Sequence, residues 1–293
     1  MADPDSHHPP CLLAVHAHPD DEASKGAPTV HRYAREGVRC VLVCATGGEE
    51  GEILNPAMDR PEVRDRLPEV RLEELRRAAA IIGYHELVLL GYRDSGMAGS
   101  EANSRPGAFA AVELREPVGR LVEVIRRERP QVIVTYADDQ QGYPHPDHLR
   151  VHDISVLAFE AAGDPEAYPD TGPPWQPAKL YYSAWAKARL LAMHDKFVEL
   201  DLESPFTEEW LARPGLDDRI TTRIEVRPED DIRDAALLAH ATQVDPTSPF
   251  WFGIPPEAGN VYPYDDYILA RSLVDSPVPE DDLFTGLREP ARR

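Results

Sequence analysis

The chain has 293 residues, and 31 Lys and Arg against 52 Asp and Glu give a formal charge of −21. That acid excess argues against nucleic acid or an anionic membrane as a partner, because both would repel the average surface. A chain of this length buries roughly 75% of its unfolded surface, so its core needs no staple, and three cysteines, Cys11, Cys40 and Cys44, do not make a disulfide scaffold.

The start, Met1 to His8, lacks the basic and apolar regions of a signal peptide. No apolar run approaches the ~18 residues of a membrane helix, so a cytoplasmic protein is expected.

The first half alternates strand-like and helix-like segments. Residues 11–16 read as a short buried strand. Residues 28–36 read as a helix, with Pro28 suited to the first turn and Gly37 to its end. Residues 39–45 are a second strand. Within it Cys40 and Cys44 share a face about 13 Å apart, from ~3.3 Å per residue, so they read as core residues that cannot bridge. Residues 69–82 carry a charged and an apolar face and are closed by Gly83, a helix. Residues 87–90 are a third strand. Val118, Leu121, Val122 and Ile125 mark a helix over 117–127, and Pro130 blocks its continuation. Residues 131–136 are a fourth strand and 148–162 a further helix. This order predicts right-handed crossovers in an α/β fold, a Rossmann-like, three-layer, doubly wound and mainly parallel sheet.

The second half is less regular. Residues 162–177 read as a loop, 179–183 as a fifth strand, 220–226 as an alternating edge strand and 229–240 as a helix. Residues 244–263 hold prolines and aromatics in a long loop of the kind that often serves function. The whole chain, 1–293, is read as a single domain. A core of about 10–185 is followed by an irregular C-terminal extension, about 186–293, that shapes the substrate pocket.

Two loops carry candidate chemistry. His18-Pro19-Asp20-Asp21-Glu22 follows the first strand, and Tyr143-Pro144-His145-Pro146-Asp147-His148 follows the fourth. One imidazole and two acids in four residues suit Zn²⁺ or Fe²⁺. Pro19 stiffens the turn so that His18 and Asp21 point together, and Asp20 between them is placed to act as a base. His145 and His148, three apart at a helix opening, share one side. Asp147 is suited to hold an imidazole through its second nitrogen. In a doubly wound sheet, ligands bind beyond the carboxyl ends of the strands, where the strand order reverses. The usual order makes the first and fourth strands neighbours there, bringing His18, Asp20, Asp21, His145 and His148 into one crevice. Three protein ligands with an open position describe a catalytic zinc site.

Other segments say less. Thr46-Gly47-Gly48-Glu49-Glu50-Gly51-Glu52 has neither a dinucleotide fingerprint nor a P-loop, and its glutamates would repel phosphate, so a pocket-shaping loop is expected. Asp94 suits either a sugar hydroxyl or a turn. Arg71 stands near a helix start, where a cation is unfavourable, so it faces either a ligand or solvent. Lys25 lies close enough to His18 to touch a ligand at the same mouth. Nothing local marks His16, His31, His85, His152, His194 or His240 as ligands.

Together the motifs resemble the LmbE-like (PIG-L) zinc amidohydrolases. The likeness runs through Thr46-Gly47-Gly48-Glu49, Tyr92-Arg93-Asp94-Ser95-Gly96 and Ala239-His240-Ala241-Thr242-Gln243, and is strongest to the mycothiol branch at Ser24-Lys25-Gly26, Tyr143-Pro144-His145 and Phe250-Trp251-Phe252. The resemblance implies that His18, Asp21 and His148 hold Zn²⁺, with Fe²⁺ accepting the same ligands. It implies Asp20 as general base, a protonated His145 at the oxyanion, a mobile Tyr143 near the carbonyl, and Lys25, Arg71 and Asp94 on a glucosaminyl-inositol moiety. The implied substrate is a small-molecule mycothiol conjugate, cleaved at its amide to release a mercapturic acid in detoxification or antibiotic biosynthesis. The alternatives are deacetylation of N-acetylglucosaminyl-inositol and a non-catalytic sugar- or metal-binding module. Gln141 departs from the family, which commonly has a glycine there, and residues 187–218 are not aligned with its pattern.

Overall fold

The computed structural model describes residues 9–140, 143–226, 231–248 and 251–287. The N-terminal octet, Gln141, Phe250 and the first two residues of the helix expected over 229–240 lie outside them.

The elements run β1 (Cys11–His16), α1 (Asp21–Ser24), α2 (Ala27–Arg35), β2 (Arg39–Thr46), α3 (Pro61–Arg64), α4 (Leu67–Ile82), β3 (Glu86–Tyr92), α5 (Arg115–Glu128), β4 (Val132–Tyr136), α6 (Pro146–Ala161), β5 (Lys179–Ala184), α7 (Lys187–Glu199), α8 (Glu208–Ala212), β6 (Thr222–Glu225), α9 (Ile232–Ala239), α10 (Pro256–Gly259) and β7 (Tyr264–Ser272). The seven strands form one sheet in the order β3-β2-β1-β4-β5-β7-β6. The first five are parallel, and β7 pairs antiparallel with β5 and β6. The strand order reverses between β1 and β4, as expected.

Side-chain alternation along β1 divides the core in two. Leu13 and Val15 join Leu121, Val122, Ile125, Ile154 and Ala158 on the face covered by α5 and α6. Leu12 and Ala14 join Val30, Tyr33, Ile82 and Leu237 under α2, α4 and α9. Because both faces are covered, β1 is buried at every position, which is why it reads as an unbroken apolar run. Cys11, Cys40 and Cys44 are free and buried, and burial pushes Cys11 and Cys40 up to about 12. No helix among the described residues is long and apolar enough to cross a membrane.

The C-terminal part is more ordered than its sequence suggests. It adds α7 and places β7 inside the sheet, while Thr222–Glu225 forms the expected edge strand. Asp265 and Asp266 of β7 are buried despite their charge. Thr29 and Arg233 donate to Asp265, and the Tyr262 hydroxyl donates to Asp266. In the second half a fully buried Lys179–Glu280 pair, 2.6 Å apart, also receives the Tyr181 and Thr222 hydroxyls on Glu280.

Candidate metal centre

The two loops leave β1 and β4 side by side and meet above the sheet. α6 opens two residues earlier than its periodicity suggests. Pro146 supplies a preset φ at the first position, and the His145 ring replaces the usual Ser or Asp cap by accepting from the Asp147 N–H at 3.2 Å. This cap turns the Nδ1 of His145 inward and leaves its Nε2 for other contacts.

His18, Asp21 and His148 are buried and converge. Asp21 Oδ2 lies 3.5 Å from His18 Nδ1 and 3.4 Å from His148 Nε2. Donors on a tetrahedral cation with bonds of 2.0–2.1 Å stand about 3.4 Å apart, so the spacing fits a zinc-sized ion. The donors also fit by kind: two imidazole nitrogens and a carboxylate oxygen, with no cysteine near. The outward nitrogen of His18, Nε2, lies 3.2 Å from Asp147 Oδ2, which also accepts the Ser95 N–H at 2.9 Å. A carboxylate on the second nitrogen is how metal-binding imidazoles are commonly fixed. The His148 ring is stacked on Tyr136, centroids 4.5 Å apart and 8° from parallel. Lys25 Nζ clamps the other oxygen of Asp21 at 2.6 Å, so Oδ2 alone turns to the centre. A second group, His18, Asp94 and His145, has comparable reach, but there His18 would have to offer the nitrogen that faces Asp147.

The carboxylates around the centre favour positive charge there, carried in the metal-free protein by a proton on His18. Burial works to lower His18, yet Asp147, Asp21 and Asp94 outweigh it and hold the imidazole well above its ordinary range. Burial would raise Asp21, but Lys25 and His148 hold it well below the usual carboxylate range. Burial lowers His148, with Asp21 opposing, which favours the neutral form that a metal needs. Burial, then His18 and His148, push His145 down to about 4. A neutral His145 that accepts at Nδ1 carries its proton on Nε2, so it can donate without being cationic.

Asp20 sits at the mouth, its side chain 33% exposed, with Oδ2 3.3 Å from the Arg71 guanidinium. Its backbone has φ 110°, an uncommon conformation for a residue with a Cβ. Two devices hold it there. The Asp20 N–H donates to Glu22 Oε2 at 3.0 Å, and the Asp20 carbonyl accepts from Ala23 and Ser24. Burial raises the Asp20 pKa and Asp21 adds to the rise, while Arg71 pulls it down.

The remaining predicted residues fall as follows. Arg71 is 2% exposed, neither on the surface nor at the helix start, since α4 begins at Leu67. It donates to the carbonyls of Gly48 and Pro19. The glycine loop is therefore an arginine cradle: a Cβ at Gly48 or Gly51 would collide with that guanidinium. Asp94 is buried, forms a turn by accepting the Gly96 N–H, and lies 3.6 Å from His18 Nε2. Tyr143 is 54% exposed, its ring 5.6 Å from His148 and 6.1 Å from His145.

Sequence reasoning missed Tyr136, Ser95 and the Glu22–His240 pair. His240 Nε2 meets Glu22 Oε1 at 2.5 Å with both side chains fully buried. The nearby Thr242 gives its N–H and hydroxyl to Glu74, so the Ala239–Gln243 motif packs behind the HPDDE loop. The identity of that motif was the one available signal.

A cavity of about 360 Å³ opens at the centre beside Lys25, Tyr143 and His148, and Trp185, Trp210 and Trp251 also line it. A second, of about 590 Å³, shares the walls Trp185, Leu190 and Trp251 and continues to Phe252 and Arg189. Neither is lined by Asp94 or Arg71.

The family model for PIG-L, GlcNAc-PI de-N-acetylase, matches residues 13–159. A mycothiol S-conjugate amidase of Streptomyces coelicolor is 44% identical over 293 residues, covering 96% of this chain and 98% of that protein. A 1D-myo-inositol 2-acetamido-2-deoxy-alpha-D-glucopyranoside deacetylase of Streptomyces avermitilis is 42% identical over 290 residues, covering 94% and 97%. Among solved structures, the N,N'-diacetylchitobiose deacetylase of Pyrococcus horikoshii aligns with a TM-score of 0.60 at 15% identity, over 88% of this chain and 83% of that one. At that identity it speaks for the fold alone.

Proposed function

The chain belongs to the PIG-L family of amide-hydrolysing enzymes, and from that premise we propose that it cleaves the amide between an N-acyl cysteine and glucosaminyl-inositol in a mycothiol S-conjugate. The observation that carries this reading is the 360 Å³ cavity beside His148 and Tyr143. An acetyl group would leave most of it empty, whereas a cysteinyl thioether with an apolar substituent suits its tryptophan walls. The polar flank around Asp94 and the Glu49–Glu50 loop, where Asp94 and the two glutamates exchange backbone hydrogen bonds, suits the hydroxyl-rich sugar. Deacetylation of N-acetylglucosaminyl-inositol is the second reading, favoured by the nearly equal identity, 42%, to a deacetylase.

In this reading His18, Asp21 and His148 hold a divalent cation, Zn²⁺ in preference and Fe²⁺ on the same donors. The cation, when bound, polarises the amide carbonyl and lowers the pKa of water at its open position. Asp20 takes the proton of the attacking water, placed for it by the φ 110° turn and the Arg71 contact. His145 donates its Nε2–H to the developing oxyanion. The Asp20 carboxyl then passes its proton to the amine nitrogen as the C–N bond breaks, leaving a carboxylic acid and a free glucosamine amine. Lys25 keeps Asp21 turned inward, and Tyr143 closes over the carbonyl.

A paired mass-spectrometric assay tests this with zinc-loaded protein on a mycothiol S-conjugate and on N-acetylglucosaminyl-inositol. Faster cleavage of the conjugate is expected, with Asp20→Asn slowing it by about 10²–10⁴. Faster release of acetate would make the chain the deacetylase, and near-normal turnover by Asp20→Asn with metal bound would remove Asp20 from the mechanism.

A further inference from the structure

The first cavity has a neighbour across its tryptophans. Trp185, Leu190 and Trp251 form its far wall and are also walls of the 590 Å³ chamber beyond. A substituent on the cysteine sulfur that grows past Trp185 is directed toward the second chamber. Its lining near that entrance is largely apolar, with Met193, Phe206 and Phe252.

One charged group breaks that lining close to the entrance. The Arg189 guanidinium lies over the Trp185 ring, 5.7 Å from its centroid. Among the described residues it makes no side-chain hydrogen bond, and Asp265 Oδ1 is 3.9 Å away. That oxygen is already engaged, because Arg233 holds it at 2.6 Å. The other oxygen of Asp265 accepts from the Thr29 hydroxyl and N–H. Asp266, the next carboxylate on β7, receives both the Tyr262 hydroxyl and Arg223 on Oδ1. Two guanidinium groups thus crowd the Asp265 carboxylate, with Arg233 hydrogen-bonded to it and Arg189 not, while Asp231 and Asp234 stand exposed at the rim. Burial, then Arg233, push Arg189 down to about 10 against the opposing pull of Asp265 and Asp266. A planar guanidinium in a half-buried apolar wall is well suited to a carboxylate.

We propose that this second chamber is a specificity subsite for the sulfur substituent, and that it selects an aromatic group carrying a carboxylate, the ring packing on Trp185 and the carboxylate pairing with Arg189. The proposal rests on the amidase reading above, since it assigns the thioether side of the scissile amide to this cavity.

The test uses three conjugates of one N-acetylcysteinyl-glucosaminyl-inositol scaffold, bearing S-methyl, S-benzyl and S-(para-carboxybenzyl) groups. Cleavage is followed by kcat/KM on the zinc-loaded protein. Binding is followed by calorimetry on Asp20→Asn, which retains the cavities. The para-carboxybenzyl compound is expected to exceed the benzyl compound about tenfold in both readouts, the scale of one charge-assisted hydrogen bond. Arg189→Gln should bring that ratio to about one, and Arg189→Lys should restore part of it. Thermal melting of each variant separates lost selectivity from lost folding. If the S-methyl and S-benzyl compounds are cleaved but the carboxylate confers no preference, or its preference survives Arg189→Gln, the subsite is overturned and the amidase reading stands. If no conjugate is cleaved yet calorimetry shows the Arg189-dependent preference, the amidase reading falls and the subsite stands. Absence of both overturns both.

Discussion

Replacing Asp147 by Asn should weaken metal binding without unfolding the protein. Asp147 is fully buried, and its Oδ2 faces both His18 Nε2, at 3.2 Å, and the Ser95 N–H, at 2.9 Å. Asn keeps the shape and one oxygen for the Ser95 N–H, so the loop should stay in place. It removes the charge that makes His18 Nδ1 a stronger donor, and its amide nitrogen inherits the position of Oδ1, an atom with no hydrogen-bond partner. Loss of such a supporting carboxylate typically weakens metal binding 10–100-fold, or about 1.4–2.7 kcal/mol. The assay is titration of the protein with Zn²⁺ against a competing chelator near neutral pH. Two further variants make the reasoning specific: His148→Gln should lose the metal, and His145→Gln should keep one equivalent. Unchanged affinity in Asp147→Asn would refute the role given to Asp147. Metal lost with His145→Gln but kept with His148→Gln would move the ion to the group of His18, Asp94 and His145.

Three other outcomes are expected. Gly48→Ala puts a Cβ into the Arg71 guanidinium at a φ of +65°; the left-handed backbone alone costs about 1 kcal/mol, and displaced Arg71 no longer braces Asp20. Its melting temperature and turnover should both fall, and wild-type values for both would remove the cradle from the account. Lys179→Met strands Glu280 in a site with no exposure, a loss of about 3–5 kcal/mol in urea unfolding; adding Glu280→Leu should recover part, and a single variant as stable as the parent would contradict this. Asp266 is pushed up to about 6, chiefly by burial. The native state therefore binds its proton more tightly than the unfolded chain, so this group's contribution to stability falls as pH rises from about 4 through about 6. Asp266→Asn should be more stable than the parent by about 1–3 kcal/mol above pH 7 and show no gain near pH 4; a gain independent of pH would refute the sign.

The first five strands and the meeting of the two histidine loops were legible because they rest on local rules. Apolar runs such as Cys11–His16 announce strands buried on both faces, and a right-handed crossover fixes which strand ends adjoin. β7 was illegible for an opposite reason. Asp265 and Asp266 interrupt its apolar pattern, and what makes them tolerable inside is Thr29, Arg233 and Tyr262, one of them more than 230 residues distant. α7 was missed because only Met193 and Phe197 are buried along it, too thin a stripe to show periodicity. Arg71 was misplaced by a boundary error: with α4 starting at Leu67, it lies about half a turn further in, where it can reach the Pro19 carbonyl and Asp20.

The same distinction explains the parts of the site itself. Residues that would touch a cation or substrate sit in loops and must be particular types, so His18, Asp20, Asp21, His145 and His148 stand out in sequence. Residues that hold them in place need only supply a surface or one hydrogen bond, and they come from any packed element. Tyr136 ends a strand and lies flat on His148. Ser95 contributes only an N–H to Asp147, which any residue but proline could give. Glu22 fixes the strained Asp20 backbone with one oxygen and meets His240 with the other, so the end of α9 is tied to the turn that carries Asp20. A loop that must hold a carboxylate at φ 110° costs stability wherever it occurs. Here the turn is held by Glu22, whose other oxygen is engaged by a buried imidazole 218 residues away.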